Sequence, residues 1–349
     1  MSSKIRIGLI GYGYWGPNYA RVFSETPDSM VTAICDGQPE RLARAAARFP
    51  EVAVCGDAGE LLARKDVDAV VVSTPATTHF ELARRALASG RHVLVEKPLA
   101  TEVEHCEQLA ELAEQQERVL MVAHTFLYNA GIRKVHECVK SGAFGHVHYL
   151  HSTRTNLGPI RHDVNAIWDL APHDISIFNY LLGQQPSWAS AIGSRVLMNN
   201  REDVGFITLG YPDRVLANIH VSWADPNKVR EVVVVGSRQR IVFNDMDDLE
   251  RVRIFEKGVS VGEQDAESFG EFKLLIRDGD IVSPRIPFSE PLRNQVADFI
   301  ECVSSNRKPV SDAATGTLVV QTLKAIDASI REQGRAVEVG RCRVASQSS

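Results

Sequence analysis

The sequence predicts an α/β protein of two domains, a doubly wound parallel sheet followed by an α+β domain built on a mostly antiparallel open sheet. Three observations predict it. Short continuous apolar runs alternate with helix-like stretches up to about residue 125, as strands buried on both faces by crossover helices do. A glycine cluster follows the first of these runs directly. From about residue 146 the alternation stops, and strand candidates succeed one another across turns without a helix between each pair, the pattern of antiparallel neighbours. A length of 349 residues at 44% hydrophobic exceeds one ordinary core and suits two.

The first elements lie in KIRIGLIGYGYWGPNYARVF, residues 4–23: strand, glycine turn, helix. MVTAICD, residues 30–36, is the second strand. Gly11, Gly13 and Gly16 form GxGxxG, and Asp36 stands twenty positions beyond Gly16. This spacing gives a tight turn, a close backbone approach to a pyrophosphate, helix N–H groups facing its charge and an acid for the adenosine ribose diol. It predicts a Rossmann domain that binds a dinucleotide, with Tyr12, Tyr14 and Trp15 of the same turn in the cofactor set. A carboxylate at Asp36 repels a 2′-phosphate, which favours NAD over NADP, whereas Arg41 is placed to reach back to a phosphate. Asp36 has a second reading as the cap of the helix that begins near QPERLARAAARF.

DAVVVST, HFELARRALASG and HVLVEKP continue as strand, helix and strand. Thr74, Pro75, Thr77 and His79 follow a strand's carboxyl end, where such sheets bind ligands; Thr77 or Thr78 reads equally as a helix cap. Glu96, Lys97 and Pro98 follow the next strand. A lysine there can hold a substrate hydroxyl or developing alkoxide, and Glu96 can bind a cofactor hydroxyl or position Lys97. A helix over 101–119 and the strand LMVAHTF carry the first domain to residue 125.

Residues 126–340 are expected to form the substrate-binding and oligomerisation domain, with 341–349 a tail. HTFLYNAGIRKVHECVKSGAFG reads as a connecting helix. HVHYLHSTRTN, SWASAIGSRVL, EDVGFITLGYP, RVLANIHVSWA, REVVVVGSRQRIVFND and ERVRIFEKG read as strands. Such a sheet leaves one face for helices or a partner subunit, predicting a homo-oligomer, dimer or tetramer. The helices EPLRNQVADFIECVSS and AATGTLVVQTLKAIDASIREQG are expected to pack back across the domains.

Composition narrows the function. A net charge of -5 and a pI near 6.1 give no basic surface for nucleic acid or a membrane. Six scattered cysteines without CxxC argue against a metal site. The start has no long signal-peptide core, and no later run supplies some 18 uninterrupted apolar residues, which predicts a cytoplasmic protein.

GPIRHDVNAIWDLAPHDISIFNYLLG, residues 158–183, holds the acid–base candidates. Asn165, Asp169 and His173 share a face if helical, while Pro172 predicts that the regular helix starts or kinks there. An imidazole, with a reference pKa of about 6.5, suits proton exchange with an alcohol. His173 as a structural donor, with Asp169 or Asp174 as a helix cap, is the alternative.

GLIGYGYWG, EKP and DLAPHDISI together resemble the glucose–fructose oxidoreductase/inositol dehydrogenase/rhizopine-catabolism family of NAD(P)-dependent oxidoreductases, from about Lys4 to Val339. The resemblance implies that Lys97, Asp169 and His173 lie around nicotinamide and substrate, with His173 as acid/base. It also implies a cis peptide before Pro98. TRTNLGPIRHDVNAIWDLAPHDISI is similar, within the family, to members acting at C3 of nucleotide-linked sugars, especially UDP-N-acetylglucosamine 3-dehydrogenases, whose 3-keto product an aminotransferase can convert. On that reading Arg154, Asn156, Arg161, His162 and Asn165 line the substrate site, the arginines pairing with diphosphate or carboxylate oxygens. In the competing reading those arginines form salt bridges with Asp163, Asp169 or Asp174 and line no pocket. Oxidation of another sugar, a sugar phosphate or inositol is the alternative activity, and an NAD-binding sensor or structural protein the non-enzymatic one.

Overall fold

The computed structural model describes residues 4–340 apart from 159, 162, 198–199 and 262–273. These residues form two compact units, one of residues 4–128 with 289–321, the other of 129–288 with 322–340.

In the first unit six parallel strands take the order β3-β2-β1-β4-β5-β6. They are β1 (Ile5–Ile10), β2 (Ser29–Cys35), β3 (Ala53–Cys55), β4 (Ala69–Val72), β5 (His92–Val95) and β6 (Leu120–Val122). The crossovers carry α1 (Gly16–Glu25), α2 (Pro39–Arg48), α3 (Ala58–Ala63), α4 (His79–Ala88) and α5 (Val103–Gln115). Helices on both faces explain the unbroken apolar strands: all four residues of β4 are buried, as are Val93, Leu94 and Val95 of β5. The strand order reverses between β1 and β4, so the carboxyl ends of these strands border the crevice in which doubly wound sheets hold ligands.

The second unit opens with α6 (Ala130–Lys140), β7 (Val147–Thr155) and α7 (Ala166–Leu182). Then come β8 (Trp188–Ser194), β9 (Val204–Gly210), β10 (Leu216–Ser222), β11 (Val229–Gly236), β12 (Arg240–Asn244) and β13 (Val252–Phe255). The short β14 (Gly258–Val261), β15 (Leu274–Arg277) and β16 (Ile281–Val282) follow. The main sheet has the order β16-β13-β12-β11-β7-β10-β9-β8, with β17 (Val337–Glu338) beyond β8. Its pairs are antiparallel except β7 with β10. Alternation divides its faces: Ala217, Ile219 and Val221 of β10 and Ile207 and Leu209 of β9 are buried beneath α7. A Cβ on Gly205 would come within 2.6 Å of Ile167 Cγ1, so the absence of a side chain there lets α7 lie close on β9. On the opposite face Tyr149, Ile192, Phe206 and Leu216 are exposed.

The strands and helices fall where the apolar patterns place them, but one expectation, a helix start at Pro172, is corrected. The long helix starts six residues before Pro172, because Asn165 caps it by accepting the Trp168 N–H at 2.9 Å, and Pro172 sits inside it. The last helices, α8 (Pro291–Ser305) and α9 (Ala313–Arg331), were expected to pack back across the domains; α8 and α9 as far as Gln321 cluster with the first unit, and the rest of α9 with the second. The cause is apolar packing: Phe299 of α8 meets Phe23 of α1 edge to face, ring centres 6.2 Å apart. Among the described residues no helix is long and apolar enough to cross a membrane.

Candidate active site

The candidate residues fall in both units. In the first, Gly11 has φ +97°, and a Cβ on it would strike the Ser73 carbonyl oxygen at 2.7 Å. Ser73 follows β4, and its hydroxyl donates to the Gly11 carbonyl at 2.8 Å, fastening the turn to the neighbouring strand end. A Cβ on Gly16 would lie 2.3 Å from the Gly11 oxygen. At Gly13 the nearest atom a Cβ would meet is Arg41 Nη1 at 3.7 Å. The first and third glycines thus let the turn close upon itself, while the second leaves its backbone open on the outer side, as approach by a pyrophosphate requires.

Asp36 is 5% exposed. Its Oδ2 accepts the Tyr12 N–H at 2.7 Å and its Oδ1 the Gln38 N–H at 2.8 Å, so it ties the glycine turn to the start of α2. Arg41 Nη1 stands 3.4 Å from Oδ2, with the guanidinium facing Asp36 and Gly13. This donor set fits a ribose diol at the carboxylate and a pyrophosphate over the turn. Tyr12 is buried and contributes its backbone; Tyr14 and Trp15 are exposed, paired edge to face at 5.7 Å. At the end of β4, Thr74 Oγ1 pairs with Thr78 Oγ1 at 2.7 Å, and Pro75 and Thr77 are exposed. His79, named among the cofactor contacts, has protein partners on both ring nitrogens. It is buried, with Nδ1 2.7 Å from the Pro98 carbonyl and Nε2 2.9 Å from the Thr74 carbonyl, and so braces the ends of β4 and β5.

The Lys97–Pro98 peptide is cis. Glu96 and Lys97 are 8% and 7% exposed. Glu96 Oε1 accepts from the Tyr19 hydroxyl at 2.7 Å and Oε2 from the Lys97 backbone N–H at 3.1 Å. Of the two roles open to Glu96, positioning Lys97 is the one these bonds serve. His124, two residues past β6, is fully buried; burial and the charge of Lys97 push its pKa down to about 3.

In the second unit Asp169 occupies the first turn of α7, with half-buried His173 one turn on along the same face. Asp169 Oδ1 accepts from Arg161 Nη1 at 3.2 Å and Oδ2 from Trp223 Nε1 at 3.3 Å. Arg161 also grips Asp163 through Nε at 2.9 Å and Nη2 at 2.6 Å. Burial opposes the Arg161 charge, but these carboxylates outweigh it and hold its pKa above the ordinary value.

Three of the expected substrate contacts have protein partners in the second unit. Arg154 is 4% exposed and bonded through Nε and Nη2 to both oxygens of fully buried Asp174, at 2.8 and 3.0 Å. Its charge therefore joins β7 to α7. Arg161 is likewise committed to aspartates, and Asn165 caps α7 while its Nδ2 donates to Glu202 at 3.0 Å. Asn156 lies half-buried just past β7, and His162 lies outside the described residues. Tyr19, His124 and Gln295 had no place in the sequence reading, although His124 stands just past a strand's carboxyl end as Lys97 does.

Residues 5–124 match the family model described as "Oxidoreductase family, NAD-binding Rossmann fold", and 132–242 match the "GFO/IDH/MocA C-terminal domain". A UDP-N-acetylglucosamine 3-dehydrogenase of Acidithiobacillus ferrooxidans is 30% identical over 252 residues, covering 69% of this chain and 72% of that one. Inositol 2-dehydrogenase 2 of Saccharopolyspora erythraea is 31% identical over 224 residues, covering 62% and 66%. Among solved structures GenD2 from gentamicin A biosynthesis, in complex with NAD, shares the fold at a TM-score of 0.82 over 98% of both chains, with 24% identity.

Proposed function

Because the chain belongs to the GFO/IDH/MocA family of NAD-binding oxidoreductases, we propose that it oxidises a secondary hydroxyl of a sugar, sugar phosphate or cyclitol to a ketone. The dehydrogenase activity and the NAD cofactor follow from the family and the Rossmann unit. The observation that carries the acid–base part is the Asp169/His173 pair, one turn apart on α7, with Asp169 held by Arg161 and Trp223.

Bound NAD supplies the hydride acceptor. His173 takes the hydroxyl proton, Asp169 orients it or the substrate, and Lys97 steadies the oxygen as its charge changes. These joint roles rest on the resemblance of EKP and DLAPHDISI to the family motifs. Gly13, the start of α1 and Asp36 would hold the dinucleotide.

The engagement of Arg154 and Arg161 with aspartates supports a neutral polyol over a diphosphate-bearing substrate. A nucleotide-sugar, such as UDP-N-acetylglucosamine oxidised at C3, is the second reading, supported by the 30% identical relative that bears that name. Nicotinamide reduction followed by absorbance with inositols, free hexoses, hexose phosphates and nucleotide sugars tests both. Turnover of polyols without a diphosphate supports the first reading, turnover confined to nucleotide sugars replaces it with the second, and no turnover with any of them overturns both.

A further inference from the structure

Behind Lys97 the first unit contains a buried polar chain built from three further elements. The Thr125 hydroxyl, just past β6, donates to Oε1 of Gln295 on α8 at 2.7 Å. That bond fixes the orientation of the amide and turns its Nε2 toward the Tyr19 hydroxyl on α1, outside bonding geometry. Tyr19 in turn donates to Glu96, whose other oxygen accepts the Lys97 N–H. Tyr19 and Gln295 are both 0% exposed. Buried polar groups are costly unless bonded, and a linked set of them specifies one geometry. Burial and then the Glu96 charge raise the Tyr19 pKa well above the usual range, so Tyr19 acts only as the neutral hydroxyl. His124, two residues past β6, and His79 of α4 are further titratable neighbours of this turn.

We propose that Tyr19 and Gln295 are positioning residues: acting through the Glu96 carboxylate, they fix the backbone and the charge surroundings of Lys97 for oxidation of the substrate hydroxyl. The inference rests on the placement of Lys97 in that reaction. A role confined to packing α1 against β5 would need the ring of Tyr19 but not its hydroxyl.

Tyr19→Phe keeps the ring and deletes one donor to Glu96. A carboxylate that loses such a bond is protonated at higher pH, by about one unit. In protein free of cofactor and substrate, the Glu96 carboxyl ¹³C resonance, assigned with Glu96→Gln, should titrate about one pH unit higher in Tyr19→Phe. With the best substrate, kcat should fall about tenfold while the NAD Kd stays within about two-fold. An unshifted resonance overturns the proposal. Should Tyr19→Phe fail to fold, Gln295→Met leaves the Tyr19–Glu96 bond in place and should move the same resonance upward by roughly half a unit; no movement overturns the proposal there too. Lys97→Met separates the two levels. Full turnover by Lys97→Met would remove Lys97 from the reaction and the proposal with it, whereas an inactive Lys97→Met beside an unshifted Tyr19→Phe would sink the positioning role alone.

Discussion

Asp36 ties its own loop together with one carboxylate, accepting two backbone N–H groups, and in the proposed function the same carboxylate would hold the ribose. Asp36→Ala therefore removes the acceptor for the ribose, the charge that repels a 2′-phosphate and the tie between Tyr12 and Gln38. Charge-assisted bonds of this kind contribute about 1.5–3 kcal/mol, so kcat/KM for NAD should fall roughly ten- to hundred-fold while NADP loses less. Steady-state kinetics with both cofactors check this, and equal efficiencies in the unmodified enzyme would contradict the NAD preference. His173→Ala should leave NAD binding intact and lower kcat roughly 10²–10⁴-fold. Parental turnover by a folded His173→Asn would make His173 structural. The places of the aspartate after β2 and the histidine on α7 were legible because each stands in a short motif. The engagement of Arg154 was not, because its partner Asp174 lies twenty residues away and is chosen by how α7 lies on β7.

At the scale of elements, α7 and β7 are joined by that Arg154–Asp174 pair in a nearly waterless setting. Removing one member of a buried pair leaves the other charge uncompensated at a cost of about 3–5 kcal/mol. Arg154→Met should lower the urea unfolding free energy by that amount. Unchanged stability with a raised KM would return Arg154 to the substrate. Element boundaries were legible wherever period and caps agreed. The β3 and β17 strands, three and two residues long, are too short to carry a period. Pro172 misled because a proline's local preference was weighed alone: the Asn165 cap and the apolar face of α7 on the sheet extend the helix through it.

For the whole molecule, acid should act through two imidazoles held neutral. Burial and then Arg118 push the His92 pKa down to about 4, and its Nδ1 accepts the Val119 N–H at 3.0 Å; His124 is lower still. The unfolded chain takes up these protons below about pH 6.5 and the folded one does not, so their contribution is complete above that pH and declines as pH falls toward the folded values. At pH 5 each should cost roughly 2 kcal/mol, seen as a lower urea midpoint than at pH 7.5, and His92→Gln should flatten the difference. Equal midpoints would contradict it. The open face of the large sheet, with Tyr149, Ile192, Phe206 and Leu216 exposed, leads to an expectation of self-association. Sedimentation at micromolar concentration should show an oligomer that Phe206→Asp weakens; a monomer throughout would refute this. Two domains and an open sheet were legible from the strand patterns, but which unit's core α8 joins was not, because an amphipathic helix does not specify which core its apolar face will join.

The place of α8 in the first unit has a bearing on biosynthesis. The nucleotide-binding unit begins the chain, yet Gln295, Phe299 and Asp312 reach it only after residues 129–288 have been made. At roughly 5–20 residues per second this interval lasts about 10–30 s. During it Tyr19 and Phe23 on α1 lack the helix that covers them in the finished protein. The nascent first unit therefore presents an apolar face beside the ribosome while the second unit is still being translated, and the lysine turn acquires its full buried surroundings only when α8 docks.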